Sequence, residues 1–138
     1  MTTTFKLLAV SLVTAFLTMI SQYDNSKMLL GEWKVRQVQA EYPVTMSAAE
    51  KVKSSMDLNS WAENFKSNPF IFGKDSTMSV MGKDGKWVLE KDGVHIRFIL
   101  MENEELRATI VLLKPDSLKF SVLDHEIKEF FTLIKVKK

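Results

Sequence analysis

The chain has 138 residues, of which 46% are hydrophobic and 26% are charged, values that are typical of a single folded domain. It contains no cysteine, which excludes disulfides, thiolate metal sites and a cysteine nucleophile. The formal net charge is only +2, so neither nucleic acid nor an anionic membrane surface is a predicted partner.

The N-terminal segment has the pattern of a signal peptide. One positive charge, on Lys6, precedes residues 7–20, which include no charged side chain. Such a run matches the apolar core of a signal peptide and is short for a membrane-spanning helix, which needs about 20 residues. We therefore predict a protein that is exported, either periplasmic or secreted. The signal peptide covers residues 1–21, a short lead-in covers 22–30 and the folded domain covers 31–138.

Cleavage next to Ser21 is favoured, because it is the only small residue close to the expected cut. Cleavage leaves no membrane span, whereas an uncleaved N-terminal anchor is the alternative. A bacterial lipid anchor is excluded, since no cysteine stands near Gln22 to receive the lipid.

Alternating polar and apolar residues predict a first β-strand over residues 32–39, in which Trp33, Val35 and Gln37 share one face. A helical segment follows this strand. Ser47 and Glu50 have the spacing of a capping box at the start of a helix.

Within the helical segment, Ala49, Val52 and Met56 fall on one apolar stripe, the side that is expected to pack. Ser60 repeats the capping pattern with Glu63 and predicts a second, short helical turn. Asn68-Pro69 ends the segment, because a proline disfavours the helical conformation of the residue before it.

The chain after Pro69 is a series of short strands separated by turn residues. The pairs Asp84-Gly85 and Asp92-Gly93 are typical of two-residue hairpin turns. The predicted strands cover residues 70–72, 77–81, 86–90, 94–98, 106–112, 118–122 and 127–136. In the fifth of these, the side chains predicted to share one face are Leu106, Ala108, Ile110 and Leu112.

Eight strands with tight connections predict an all-β fold. The simplest arrangement is an up-and-down antiparallel eight-stranded barrel with a short helical segment after the first strand. A sandwich of two sheets is the alternative. Parallel pairing is excluded, because the later connections are too short to return to the other end of a strand.

Three parts of the sequence resemble lipocalin-like proteins, in particular the small bacterial lipocalin-like domains found behind export signals. Residues 29–35 contain the Gly-x-Trp motif of that family, and residues 70–75 and 85–89 are similar to its later strands. The resemblance implies a calycin-type barrel, in which Gly31 turns the chain into the first strand and Trp33 closes one end.

The sequence departs from large lipocalins at two points. It lacks their Thr-Asp-Tyr loop, and its last strand has no arginine to stack on the first-strand tryptophan. Lys135 or Lys137 could take the place of that arginine, although lysine lacks its planar fork.

No arrangement of residues predicts catalysis, metal binding or a cofactor. His95 is predicted on the outer face of its strand and His125 in a turn, so both are interpreted as solvated side chains. Residues 102–105 lack the ligand spacing and the glycine of a calcium loop. No serine lies in a Gly-x-Ser-x-Gly elbow. We therefore predict a non-enzymatic protein with no catalytic residue, no metal and no cofactor.

The inward face of the barrel is predicted to be rich in aromatic residues and methionine, which suit an apolar ligand. The candidate ligand-binding residues are Trp33, Phe72, Met78, Val80, Trp87, Phe98, Ile110, Phe120 and Phe130. A plain core is the competing interpretation, because an eight-stranded barrel is only just wide enough for its own side chains.

Two hypotheses of function follow. The leading one is a monomer that binds a small hydrophobic molecule, with the helical segment across one mouth of the barrel. The alternative is a filled barrel that binds another protein of the cell envelope through an exposed apolar patch at Trp61 and Phe65.

Overall fold

The computed structural model describes residues 25–100 and 104–137, and the predicted signal peptide over residues 1–21 lies outside this part. Residues 25–29 are helical and lead into the sheet. The elements that follow are β1 (Gly31–Glu41), α1 (Ala48–Ser67), β2 (Phe70–Phe72), a 3-10 turn (Lys74–Ser76), β3 (Thr77–Val80), β4 (Lys83–Leu89), β5 (His95–Ile99), β6 (Glu105–Lys114), β7 (Ser117–Asp124) and β8 (Ile127–Lys135).

The eight strands pair in sequence order, each antiparallel to the next, and β8 pairs back with β1 to close the barrel. The closing pair runs from Trp33 opposite Lys135 to Glu41 opposite Lys128. This arrangement confirms the predicted up-and-down eight-stranded barrel with a helix after the first strand. The two-sheet sandwich is excluded, because the ring of strand pairs has no break.

Connections between the strands alternate between the two ends of the barrel, because consecutive strands are antiparallel. We call one end the closed end: it holds residues 25–30 and the connections β2–β3, β4–β5 and β6–β7. We call the other the open end: it holds α1 and the connections β3–β4, β5–β6 and β7–β8.

Helix α1 begins as its capping box predicts, because the Ser47 Oγ accepts a hydrogen bond from the Glu50 N–H at 3.2 Å. The helix ends at Ser67, and Asn68 is extended before the proline. The second helical turn predicted at Ser60 is wrong, since one helix runs through this position. Inside a continuous helix the backbone N–H groups already bond to the preceding turn, so Ser60 has no free N–H to cap.

The apolar stripe predicted on α1 faces solvent instead of packing. Val52 and Met56 are 61% and 67% exposed, and Phe65 is the buried residue of this helix. Helix α1 packs on β1, and its residues that reach the cavity, Trp61 and Phe65, lie in its last turns.

Strands β1 and β6 each contain a β-bulge, which reverses the alternation predicted from the sequence. In β1 the register shifts before Gln37, so Val38 packs against the core instead. In β6 the register shifts before Leu112, which becomes exposed, while Leu113 packs against the core. A bulge sets two residues opposite one, so every later side chain in the strand changes face.

The hairpin between β3 and β4 turns at Met81-Gly82, and the prediction of a turn at Asp84-Gly85 is wrong. Met81 and Gly82 have φ values of 55° and 74°, the positive values that a two-residue hairpin turn requires. Gly85 lies inside β4, where a Cβ atom would come within 2.8 Å of the Ile99 carbonyl oxygen. The glycine therefore serves the close approach of β5 and not a turn.

The closed half of the barrel is filled by its own side chains. Its largest fully buried side chains are those of Leu29, Trp33, Val35, Phe72, Ile96, Leu118 and Leu133. These residues come from both ends of the sequence, so the core forms only when β8 meets β1. Across residues 25–100 and 104–137, none of the helices is both long and apolar enough to cross a membrane.

Candidate functional site

A cavity of about 730 Å³ lies at the open end of the barrel, between the inward faces of the strands and α1. Six of the residues that line it are aromatic: Trp61, Phe65, Phe70, Phe98, Phe120 and Phe131. Its charged lining residues are Lys83, Glu104 and Glu105. The cavity is therefore largely apolar, with charge confined to its rim.

The aromatic side chains form a continuous wall through contacts with one another. Phe120 stacks on Phe131 with 5.2 Å between the ring centroids, and Phe98 lies 5.8 Å from Phe120. Phe70 lies 6.1 Å from Phe120 and 5.4 Å from Phe65, which extends the wall to α1. Each such ring pair contributes about 0.5–1.5 kcal/mol beyond the burial of its area. The wall is consequently held in place without a ligand.

Helix α1 places two aromatic residues at the mouth of the cavity. Trp61 and Phe65 are one helical turn apart, so they lie on the same side of the helix, with ring centroids 6.0 Å apart. Phe65 is 7% exposed and packs edge-on against Phe131 at 5.5 Å. Trp61 remains 56% exposed. Phe65 therefore anchors the helix to the barrel, while the Trp61 ring stands at the opening.

Three of the nine predicted ligand-binding residues line the cavity, and these are Val80, Phe98 and Phe120. Four others are buried in the core outside the cavity lining, namely Trp33, Phe72, Met78 and Trp87. Ile110 is half-buried against that core. Only the predicted residues nearest the open end thus border empty space.

Phe130 lies on the outer face of β8, whereas the sequence predicted that it points inward. Its neighbour Phe131 takes the inward position. The ammonium groups of Lys119 and Lys128 lie 5.2 Å and 5.3 Å from the centroid of the Phe130 ring. Residues 127–136 are apolar on both faces, so alternation alone could not assign the two phenylalanines. The lysines shield the outer ring from water.

Several cavity residues were missed by reasoning from the sequence. Phe70 shares a strand face with Phe72, so strict alternation through β2 would have found it. Trp61 and Phe65 carry the spacing of one helix face, but this pattern does not show which part of the barrel the helix covers.

The closed end is sealed around Trp33. This tryptophan is completely buried, and its indole N–H donates a hydrogen bond to the Leu29 carbonyl oxygen at 2.9 Å. The Lys135 ammonium group lies 5.2 Å from the centroid of the Trp33 ring and donates to the Met28 carbonyl oxygen at 3.2 Å. Of Lys135 and Lys137, the two lysines predicted as candidates to stack on the first-strand tryptophan, Lys135 is the one that covers Trp33.

One carboxylate at the open end, that of Glu129, has no side-chain hydrogen bond or ion pair with any of residues 25–100 and 104–137. On β8, Glu129 lies between Lys128 and Phe130, whose side chains point outward. It is opposite Val122 of β7, and Val122 lines the cavity. Burial, together with the negative charge of Asp124, raises the pKa of Glu129 above its usual range. The charged form of this side chain is therefore destabilised where it stands.

A charged network lies outside the cavity, on the outer face of β4, β5 and β6. The His95 Nδ1 lies 2.5 Å from an oxygen of Asp92 and 3.7 Å from an oxygen of Glu90. His95 is hence hydrogen-bonded and half-buried, and not freely solvated as its strand pattern suggested. His125, by contrast, is exposed in its turn.

The same three residues could surround a metal ion by distance alone, since their ligand atoms lie within 4.8 Å of one another. However, Glu90 already accepts two hydrogen bonds from the Arg107 guanidinium, at 2.8 Å and 3.2 Å. Hydrogen bonds from the Val94 N–H and from the His95 side chain lower the pKa of Asp92 to about 2. These partners satisfy the acidic groups within the protein.

Comparison of the sequence with known protein families finds no matching family, and no curated protein shows significant similarity to it.

Proposed function

We propose that this protein is an exported, non-enzymatic, lipocalin-like barrel that binds a small apolar molecule in the open-end cavity. The observation that carries this proposal is the cavity itself. Its volume of about 730 Å³ falls within the roughly 300–1,000 Å³ of typical small-molecule sites. The export component rests on the signal-peptide pattern of the first 21 residues.

The geometry favours a small ligand over the filled-barrel alternative. A filled scaffold would have no space between α1 and the strands, and it would present Trp61 and Phe65 together on the surface. Instead Phe65 is buried, so of these two residues only Trp61 is exposed, and it borders an apolar cavity. Burial of the exposed part of Trp61 would stabilise a bound apolar molecule by the hydrophobic effect.

The experiment is a titration of the full chain with N-phenylnaphthylamine, an apolar dye whose fluorescence increases when it leaves water. Saturable binding at micromolar dye is expected for the wild type. Leu106→Trp should weaken binding by about tenfold or more, equivalent to roughly 1.4 kcal/mol, because Leu106 lines the cavity and a larger ring would fill it.

Leu123→Trp is the matched control, since Leu123 is exposed on the neighbouring strand and lies outside the cavity lining. It should bind the dye as the wild type does. Circular dichroism would establish that both variants keep the fold. Failure of the wild type to bind, or equal binding by the two variants, would contradict the proposal.

A further inference from the structure

Four charged side chains stand at inward positions around the open end, and three of them are acidic. Lys83 and Glu104 line the cavity. Two more carboxylates lie beside the cavity lining without being part of it: half-buried Glu129 shares a face of β8 with Phe131, and exposed Asp124 ends β7 on the same face as Val122. Among the described residues, the inward rim therefore sets three carboxylates against one ammonium group.

The carboxylate of Glu105 is not counted among these inward charges, because it is already paired with Arg97. Its Oε1 accepts a hydrogen bond from the Arg97 guanidinium at 3.1 Å on the outer face of the sheet. Within residues 25–100 and 104–137, by contrast, no side chain donates a hydrogen bond to the carboxylate of Glu129 or forms an ion pair with it. Its position is half-buried beside the apolar wall.

An unpaired carboxylate at such a place lacks much of the water that stabilises its charge, and a cation brought close to it would restore that stabilisation. The aromatic wall works in the same direction, since the faces of aromatic rings carry partial negative charge and attract cations. A carboxylate-bearing ligand would instead meet repulsion from Glu104, Asp124 and Glu129.

We propose that the molecule bound in the open-end cavity is an amphipathic amine, with its apolar body against the aromatic wall and its ammonium group at Glu129. This inference rests on the proposed function and narrows it to one class of ligand. Lys83 opposes the preference, because it places one positive charge on the same rim.

The test compares three compact probes that share an apolar body and differ in charge: adamantylmethylamine, adamantylmethanol and adamantanecarboxylate. Each is titrated into the full chain by isothermal calorimetry at low salt. The amine should bind about tenfold more tightly than the carboxylate, with the neutral alcohol between them. High salt should reduce the preference for the amine, because partly exposed charges are screened.

Variants of the rim residues test which side chains cause the preference for the amine over the alcohol. Glu129→Gln should lower the ratio of amine to alcohol affinity several-fold, and Lys83→Gln should raise it. Glu41→Gln is the matched control, because Glu41 is an exposed carboxylate at the end of β1 near the open end. It should leave the ratio unchanged.

The outcomes separate the two proposals. If none of the three probes binds, the cavity is not a ligand site and the proposed function fails. If the alcohol binds and the amine binds no more tightly, the proposed function stands and the amine inference is overturned. If Glu129→Gln and Glu41→Gln change the ratio equally, the role assigned to Glu129 is wrong.

Discussion

The closed end of the barrel buries Trp33 completely and bonds its indole N–H to the chain, whereas the open end leaves Trp61 more than half exposed beside a cavity. Trp61 belongs to α1 at the mouth of the cavity, and Trp33 bonds to the short helical segment of residues 25–29. The helical segment at the closed end supplies two backbone carbonyl oxygens, which satisfy Trp33 and Lys135. Helix α1 contributes rings that touch the strands but leaves space beneath them. The closed end is filled by its own side chains, and the open end holds the cavity in which we propose that a ligand binds.

The acidic groups of the two ends show the same contrast. At the closed end, Asp92 accepts hydrogen bonds from the Val94 and His95 N–H groups and from the His95 ring, so its charged form is favoured. At the open end, burial and the negative charge of Asp124 disfavour the charged form of Glu129. The two pKa shifts therefore have opposite signs, because Asp92 accepts hydrogen bonds whereas Glu129 is partly desolvated beside another negative charge.

The largest expected effect on stability comes from replacing each of the two tryptophans by alanine in separate variants. Trp33→Ala should reduce the free energy of unfolding by about 3–5 kcal/mol, because it empties a fully buried site and leaves the Leu29 carbonyl unbonded. Trp61→Ala should cost less than about 1 kcal/mol, as expected for a largely exposed side chain. Urea unfolding measures both. Equal losses in the two variants would remove the distinction between the ends.

A smaller effect is expected from the lysine that covers Trp33. Lys135→Met should destabilise the barrel by about 1 kcal/mol, since it removes the cation–π contact and the hydrogen bond to Met28. Lys135→Arg should keep most of the stability, because a guanidinium also stacks on an indole ring. Lys137→Met serves as the control at an exposed position of the same segment. A loss for Lys137→Met as large as that for Lys135→Met would show that only net charge matters.

The smallest effects, each below about 1 kcal/mol after screening by solvent, concern pH. Asp92 has a pKa of about 2 in the folded protein and an ordinary value of 3.8. Its stabilising contribution is therefore complete above pH 3.8 and is lost as the pH falls towards 2. Asp92→Asn should be less stable than the wild type at neutral pH, and the difference should shrink across this window.

Glu129 should behave in the opposite sense, because its pKa in the folded protein lies above the ordinary value of 4.5. The folded state binds the proton more tightly than the unfolded state, so the contribution is present below pH 4.5 and is lost as the pH rises. Glu129→Gln should accordingly be more stable than the wild type at neutral pH and similar to it below pH 4.5. Thermal unfolding of both variants over a pH series measures the two slopes, and slopes of the same sign would contradict the comparison.

Local pattern was sufficient for much of the fold. The alternation within each strand and the short turns between strands lead directly to an antiparallel meander. Ser47 with Glu50 places the start of α1, and the proline after Asn68 places its end. These signals depend on neighbours in sequence, because turn geometry and helix capping involve only a few consecutive residues.

The assignment of side chains to the inside was predictable only where the alternation was unbroken. Gln37 and Leu112 were assigned to the wrong face because a bulge precedes each of them. Phe130 was placed inside because its strand is apolar on both faces. A bulge and the choice between two phenylalanines are decided by the pairing with neighbouring strands, which the alternation within one strand does not show.

By itself, the sequence determined that this chain forms eight antiparallel strands with a helical segment after the first and a tryptophan in the first strand. Only the tertiary structure decided that one end is sealed and the other holds a cavity, and that Glu129 lies half-buried opposite Val122 of the cavity wall. Strand formation follows from the local period of the chain. The volume of a cavity is the difference between the space inside the barrel and the space that its packed side chains fill. No local sequence pattern determines that difference.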